Sequence, residues 1–250
     1  MEQVLSRQEK VIRGNTDTGL LKLLALLFMI CDHAGKIFFP QIPEMRLIGR
    51  IAFPLYGWCM AVGAEYTKDM PKYALRIAVI GLVSQPLYMA ALNHTWAEPN
   101  IFLTLLLALG GIYGIQEKKY FSHIWGPILA VIMGAVLAPD YGWRGVFFVM
   151  LLYAARKDRC ALFVAFLAFS LYWGTSSSPV TNLFGWPLPI PTSPNLSGLF
   201  SSFFRLQGMV WLALPLILFQ TKTHLRLSKW FGYAAYPLHL ALLWLVGQLV

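Results

Sequence analysis

Charged side chains are scarce in this chain: they make up 12% of its 250 residues, and only 11 of them are Asp or Glu. With 58% hydrophobic residues and a mean hydropathy of +0.60, its polar groups are too few to cover a water-soluble domain of this size. Cysteine is equally sparse. Cys31, Cys59 and Cys160 form neither an even set nor a metal-ligand spacing and lie in or beside apolar stretches, so they read as small core residues and no metal site is expected. A cleavable leader is also not expected, because residues 1–18 are mixed polar and charged and the apolar stretch after them carries Lys22, Asp32 and His33 instead of a small-residue cleavage site. Barrel-type alternation is missing too, which leaves helices as the spanning elements.

What the chain has in abundance is long apolar runs. A bilayer core of ~30 Å needs roughly 20 helical residues at ~1.5 Å each. Nine crossings are expected on that basis, at about 19–39, 46–66, 73–92, 99–116, 123–138, 141–155, 159–174, 199–220 and 231–250. The fold class is therefore an all-α, polytopic transmembrane bundle, with residues 1–18 as a tail and 19–250 as one membrane domain. The net charge of +9 sits in short connections, where anionic lipid headgroups, and not nucleic acid, are the partners it implies. Arg7, Lys10 and Arg13, then Lys68, Lys72 and Arg76, then Lys118 and Lys119, then Arg156, Lys157 and Arg159, then Lys222, Arg226 and Lys229 fill alternate connections, while 92–99 and 174–199 hold no basic residue. This asymmetry predicts a cytoplasmic N-terminus, an extracytoplasmic C-terminus and an outer connection over 175–198.

Charges within a span cost roughly 2.5–3.5 kcal/mol each on insertion scales, so they face a bundle interior or a wet cavity. In the predicted topology Asp32, His33, Arg50, Asn100, Arg144 and Arg205 fall toward the outer layer, with His239 deeper in the last span. A shared hydrated pocket is the economical explanation. Lys22 lies low on the first span. Eleven residues at ~100° each leave it only about 20° from His33 around the helix and about 16 Å along it. Asp32 points ~100° from His33 and is expected to pair with Arg50 or Arg144 instead.

These residues resemble a known family. Lys22, Ala25, Met29, Asp32 and His33 match the "LK…A…M…DH" signature of TraX proteins, and Gly49-Arg50-Ile51-Ala52-Phe53-Pro54-Leu55 matches their "GR.AFPL" segment. Asn100-Ile101, Tyr141-Gly142 followed by Gly145, and Tyr236-Pro237-Leu238-His239-Leu240 extend the resemblance in order to the C-terminal end. It implies an enzyme, an acetyltransferase of a bacterial inner membrane that acetylates pilin subunits. The spacing of Lys22 and His33 is similar to the "R/K-x10-H" pattern of the wider transmembrane acyltransferases, which implies acetyl-CoA as co-substrate and a pilin-like peptide or cell-surface glycan as acceptor, amine or hydroxyl.

Such transfer needs a base, donors for the carbonyl oxyanion and a site for the CoA phosphates. His33 is the candidate base or acetyl carrier. Asp32 and His239 are further catalytic candidates, Arg50 and Arg144 would stabilise the oxyanion or hold an acceptor carboxylate, Asn100 would donate a hydrogen bond on the cofactor side, and Lys22 would meet the donor. Each has a plainer role open to it: Lys22 as a snorkelling lysine, Arg50 as an ion pair with Asp32, Asn100 as a helix cap, Arg144 as an interfacial anchor, and His239 as a partner for backbone freed by Pro237. A proton-coupled or small-solute transporter, with Asp32, His33 and His239 relaying protons, is the alternative function.

Overall fold

The structure, a computed structural model, describes residues 11–187, 198 and 201–249. Arg7 and Lys10 of the tail, residues 188–197 of the outer connection, the first two residues of the expected eighth span and Val250 lie outside the described residues. The molecule is predominantly helical: α1 (Thr18–Ile37), α2 (Pro43–Gly49), α3 (Ala52–Tyr66), α4 (Met70–Leu92), α5 (Ile101–Glu117), α6 (Ser122–Val136), α7 (Gly142–Ala155), α8 (Arg159–Gly174), α9 (Gly208–Leu218, whose first six residues are 3₁₀) and α10 (Lys229–Gly247).

Polar residues at the helix starts explain where several elements begin. Asp17, Asp69, Asn100, Asp158 and Ser228 each accept a hydrogen bond from a backbone N–H one to three residues into the helix that follows. Such caps satisfy donors that the first turn leaves free. Asn93, in the left-handed conformation at φ 58°, ends α4.

Seven of the nine expected spans coincide with single helices to within a few residues. The expected 46–66 span is instead broken between Gly49 and Ala52 into α2 and α3. Gly49 packs so closely on Asp32 that any side chain there would collide with the aspartate, and this contact holds α2 against α1. Among the described residues of the expected 199–220 span, residues 204–207 are non-helical and the chain returns as α9. Pro215 at the start of its α-helical part, after the 3₁₀ turns, and the close approach of Gly208 and Gly174 around the Ser202 carbonyl suit a turn better than one straight helix. Two helices, Pro43–Tyr66 taken through its break and Met70–Leu92, are long and apolar enough to cross a membrane by length and composition among the described residues.

Within the expected outer connection a hairpin of β1 (Asn182–Leu183) and β2 (Trp186–Pro187) pairs antiparallel. Its two-residue turn needs positive φ at both positions, which Phe184 (51°) and Gly185 (81°) adopt.

α3 is the central helix, with 11 of its 15 residues buried, Trp58 and Leu55 completely. α1, α5, α7 and α9 pack directly on it, α4 and α10 pack on each other and on α1, and α8 packs on α7 and α9. Gly126, Ala130 and Gly134 of α6 form a buried stripe of small residues that lets α5 and α7 approach closely, the packing mode that replaces hydrophobic driving force where the surroundings are themselves apolar. The outer surface carries Leu75, Leu82, Val83, Ile128, Ile132 and Val136, while Asp32 and Arg50 are 6% and 5% exposed. Polar groups inside and apolar ones outside invert the usual arrangement of a soluble domain.

Candidate active site

A cavity of about 240 Å³ runs beside α1 between α3, α4, α5 and α10. Lys22 lines it together with Leu227, Ser228 and Tyr233; Asp32, His33, Asp140, Tyr141 and Tyr236 line it as well, and Leu26, Met29, Phe53, Ile77 and Leu105 supply much of its apolar wall. The helical phase of Lys22 and His33 is what allows one cavity to touch both: one turn after another of the same α1 face is presented to it.

His33 is held by a second histidine. Its Nδ1 lies 2.9 Å from Nε2 of His239, and Nδ1 of His239 lies 3.1 Å from the Ala235 carbonyl oxygen. The carbonyl can only accept, so His239 carries its proton on Nδ1. In the neutral ring its Nε2 is then a lone pair, which accepts from the Nδ1–H of His33. His33 consequently keeps its lone pair on Nε2. The edge of Tyr236 against His239, with centroids 5.2 Å apart, supports this ring from the same helix. The carbonyl that Pro237 leaves without its i+4 donor is that of Tyr233, so His239 is not the substitute for that bond.

Asp32 faces two cations. Arg50 Nη2 reaches both carboxylate oxygens at 2.6 Å, and Arg46 Nη1 reaches Oδ2 at 3.2 Å. Arg50 also donates through Nε to the Arg46 carbonyl at 3.2 Å and lies 5.8 Å from the centroid of Tyr141. Tyr141 stacks on Phe53 at 4.2 Å with a 12° interplanar angle, edge-on to Trp173. The pair thus braces α1 against α2 and the α7 start beside the cavity, and Arg50 sits behind Asp32 instead of among the cavity-lining residues.

Two expected site residues lie elsewhere. Arg144 is on α7 between the rings of Trp143 and Tyr172, with centroids 5.3 and 5.9 Å from its guanidinium carbon, and does not line the cavity or pair with Asp32. Tyr141, in the left-handed conformation at φ 67° just before α7 begins, turns to the cavity, while Arg144 in the first turn of α7 faces Tyr172 of α8. Asn100 is used up as a cap. Its side chain accepts from Phe102 N at 3.0 Å and donates to the Gly81 carbonyl at 2.8 Å, while its own N–H binds Gln85 Oε1 at 2.9 Å. Asn100 is also not among the cavity-lining residues.

Three neighbours of the site carry no motif. Arg46 shares Asp32. Asp140, in the connection between α6 and α7, is fixed on the cavity wall by its backbone: its N–H donates to the Pro99 carbonyl at 2.9 Å and its carbonyl accepts from Thr104 Oγ1. Burial pushes the Asp140 carboxyl up, and the Arg50 charge opposes that shift. His94, in the connection between α4 and α5, stacks on Tyr88 (4.6 Å, 3°), with Lys36 Nζ 3.0 Å from its Nε2 and Glu98 3.3 Å from its Nδ1.

A family model described as "TraX protein" matches residues 17–247. The chain belongs to the TraX family. Family membership and the apolar helices make it a membrane-associated protein. It is 26% identical over 155 residues to the protein TraX of Escherichia coli, covering 60% of this chain and 62% of that one. It is 25% identical over 161 residues to a probable fimbrial assembly protein FimC (serogroup H1) of Dichelobacter nodosus, covering 59% and 66%. An uncharacterized protein of Rickettsia prowazekii is 30% identical over 149 residues, 57% of each chain. The matched stretches thus span less than two thirds of these relatives' lengths. No solved structure matches.

Proposed function

We propose that this chain is a membrane-embedded acetyltransferase that moves an acetyl group from cytoplasmic acetyl-CoA to an acceptor at the outer side of a bacterial inner membrane. The observation that carries this reading is the His33–His239 hydrogen bond on the wall of a cavity that Lys22 also lines. The acceptor is an amine of the kind a pilin-like amino terminus presents, or a hydroxyl of a surface glycan. Relatives named for fimbrial assembly and as TraX favour the pilin-like class. In this reading the chain crosses the membrane nine times, with Lys22 near the cytoplasmic face and His33 near the outer one.

The chemistry follows from the tautomer. His33 Nε2 takes the proton from the acceptor nitrogen or oxygen as its lone pair attacks the thioester carbonyl; a C–N or C–O bond forms, the C–S bond breaks, and the sulfur leaves with the bonding pair. The proton then passes from His33 to that sulfur, restoring the base. His239 stabilises the transient imidazolium of His33 by accepting from its Nδ1–H, and typical general-base contributions are about 10²–10⁴-fold. Acetyl-CoA is a substrate here. A cavity of about 240 Å³ is smaller than the roughly 300–1,000 Å³ of drug-sized sites, so it suits the pantetheine arm, with the nucleotide left outside beside Lys22 and the basic 222–226 segment.

The test is transfer of label from acetyl-CoA by the purified chain in nanodiscs. Wild type is expected to acetylate a peptide amine and His33→Ala to lose at least about 100-fold. Full activity in His33→Ala removes the base from the mechanism; no transfer by wild type, with proton-linked solute flux in liposomes, replaces the enzyme with a transporter.

A further inference from the structure

The cations around the cavity are almost all committed. Arg46 and Arg50 both pair with Asp32, and Lys36 lies 3.0 Å from the His94 ring, which itself contacts Glu98. The Asp140 carboxylate is different. It lines the same cavity as His33, yet its side chain makes no hydrogen bond or ion pair among the described residues. It lies within electrostatic reach of Arg50, Asp32, His94 and Lys36, and His33 shares two of these neighbours, Arg50 and Lys36. The backbone N–H and C=O of Asp140 are both tied, to Pro99 and Thr104, which fixes the point on the cavity wall from which the carboxylate reaches in. A fixed, partly buried carboxylate without a close counter-ion is costly, and a ligand that supplies a cation removes that cost.

We propose that Asp140 is the acceptor-selecting residue of this site: it receives the ammonium form of a primary amine and delivers it beside His33. This rests on the acetyltransferase reading and makes the acceptor class an amine in preference to a hydroxyl. An α-amino group, with its ordinary pKa of roughly 7.7–8.0, is mostly protonated at pH 7. Asp140 attracts that form and takes the first ammonium proton on its carboxylate, which frees the nitrogen lone pair; His33 Nε2 takes the second as the C–N bond forms and the C–S bond breaks, and the Asp140 proton returns to solvent as the product leaves. A sugar hydroxyl brings no charge and gains nothing from the carboxylate beyond one neutral hydrogen bond.

The experiment measures binding to the full chain in nanodiscs without acetyl-CoA, using two probes of equal shape: tetra-alanine amide with a free amino terminus, and its analogue with a terminal lactyl hydroxyl. A charge-assisted hydrogen bond predicts that wild type binds the amine about 10- to 100-fold more tightly than the hydroxyl probe. Asp140→Asn is expected to abolish that ratio while Asp140→Glu retains part of it; a merely structural aspartate would weaken both probes together. Equal affinities in wild type, or an unchanged ratio in Asp140→Asn, overturn the proposal. If Asp140→Asn does not fold, Asp140→Ser is read by the same ratio. Because this binding measurement contains no acetyl-CoA, it is independent of the labelled-transfer assay: amine preference here with no transfer there sinks the enzyme reading alone, and transfer there without amine preference here sinks this one alone.

Discussion

At the scale of single residues, the distinction between His33 and His239 matters most. Both are imidazoles, but the Ala235 carbonyl assigns His239 the orienting role and leaves the free lone pair on His33. Replacing His239 by Gln keeps an amide oxygen able to accept from His33 Nδ1, whereas Leu removes the acceptor altogether. His239→Gln is therefore expected to retain several-fold more transfer activity than His239→Leu, with similar acetyl-CoA affinity in both, as measured by single-turnover rates and by titration. Equal losses would show that His239 does not act through the His33 ring. The sequence offers His33 as the base and His239 as a further catalytic candidate, but not the hydrogen bond that orients one through the other, because the pairing joins positions 206 residues apart.

At the scale of elements, helix starts and the crossover between α1 and the 221–223 segment carry the testable content. Asn100→Ala removes the α5 cap and its bond to the Gly81 carbonyl, so a loss of about 0.5–2 kcal/mol in unfolding stability is expected, without a change in acetyl-CoA affinity. A large affinity change with unaltered stability would return Asn100 to the donor site. Asp17, at the α1 start outside the spanning segment, behaves differently. Burial pushes its carboxyl up, but hydrogen bonds from the side chain and backbone of Thr223, from Leu20 N–H and from Thr221 outweigh this and hold it below the ordinary value of 3.8. A lowered folded-state value means that this stabilisation is complete above the unfolded value and is lost as pH falls through the folded one. Thermal stability in detergent is expected to decline below about pH 4, and Asp17→Asn to flatten that decline while lowering stability at neutral pH. An identical acid profile for the variant would exclude Asp17 as a contributor.

At the scale of the whole molecule, the prediction concerns orientation in the bilayer. Ser177 sits in the segment after α8, where Ser177 Oγ accepts from Gln207 N–H at 3.0 Å and Arg205 Nη1 donates to the Ser177 carbonyl at 2.8 Å. A cysteine placed there in a cysteine-free background is expected to react with an impermeant maleimide added outside intact spheroplasts. Labelling only after permeabilisation would invert the topology and put His33 near the cytoplasm.

The sequence alone determined that this chain is helical and membrane-associated, that its helices fall close to where apolar runs lie, and that Lys22 and His33 share a face of α1. These are consequences of composition and of helical period, which act within one segment. It also put Arg50 among two arginines expected to pair with Asp32, but missed Arg46, which pairs as well. Which arginine pairs with Asp32, that Arg144 turns away toward Tyr172, that Asn100 is consumed as a cap, and that Asp140 joins His33 at one cavity were decided by the tertiary structure. Each depends on the rotation of one helix against another, and a turn of about 100° per residue moves a side chain from the cavity to the outer face. No local pattern records that rotation; it is set by close contacts such as Gly49 on Asp32 and Phe53 on Tyr141, which form only when the helices assemble.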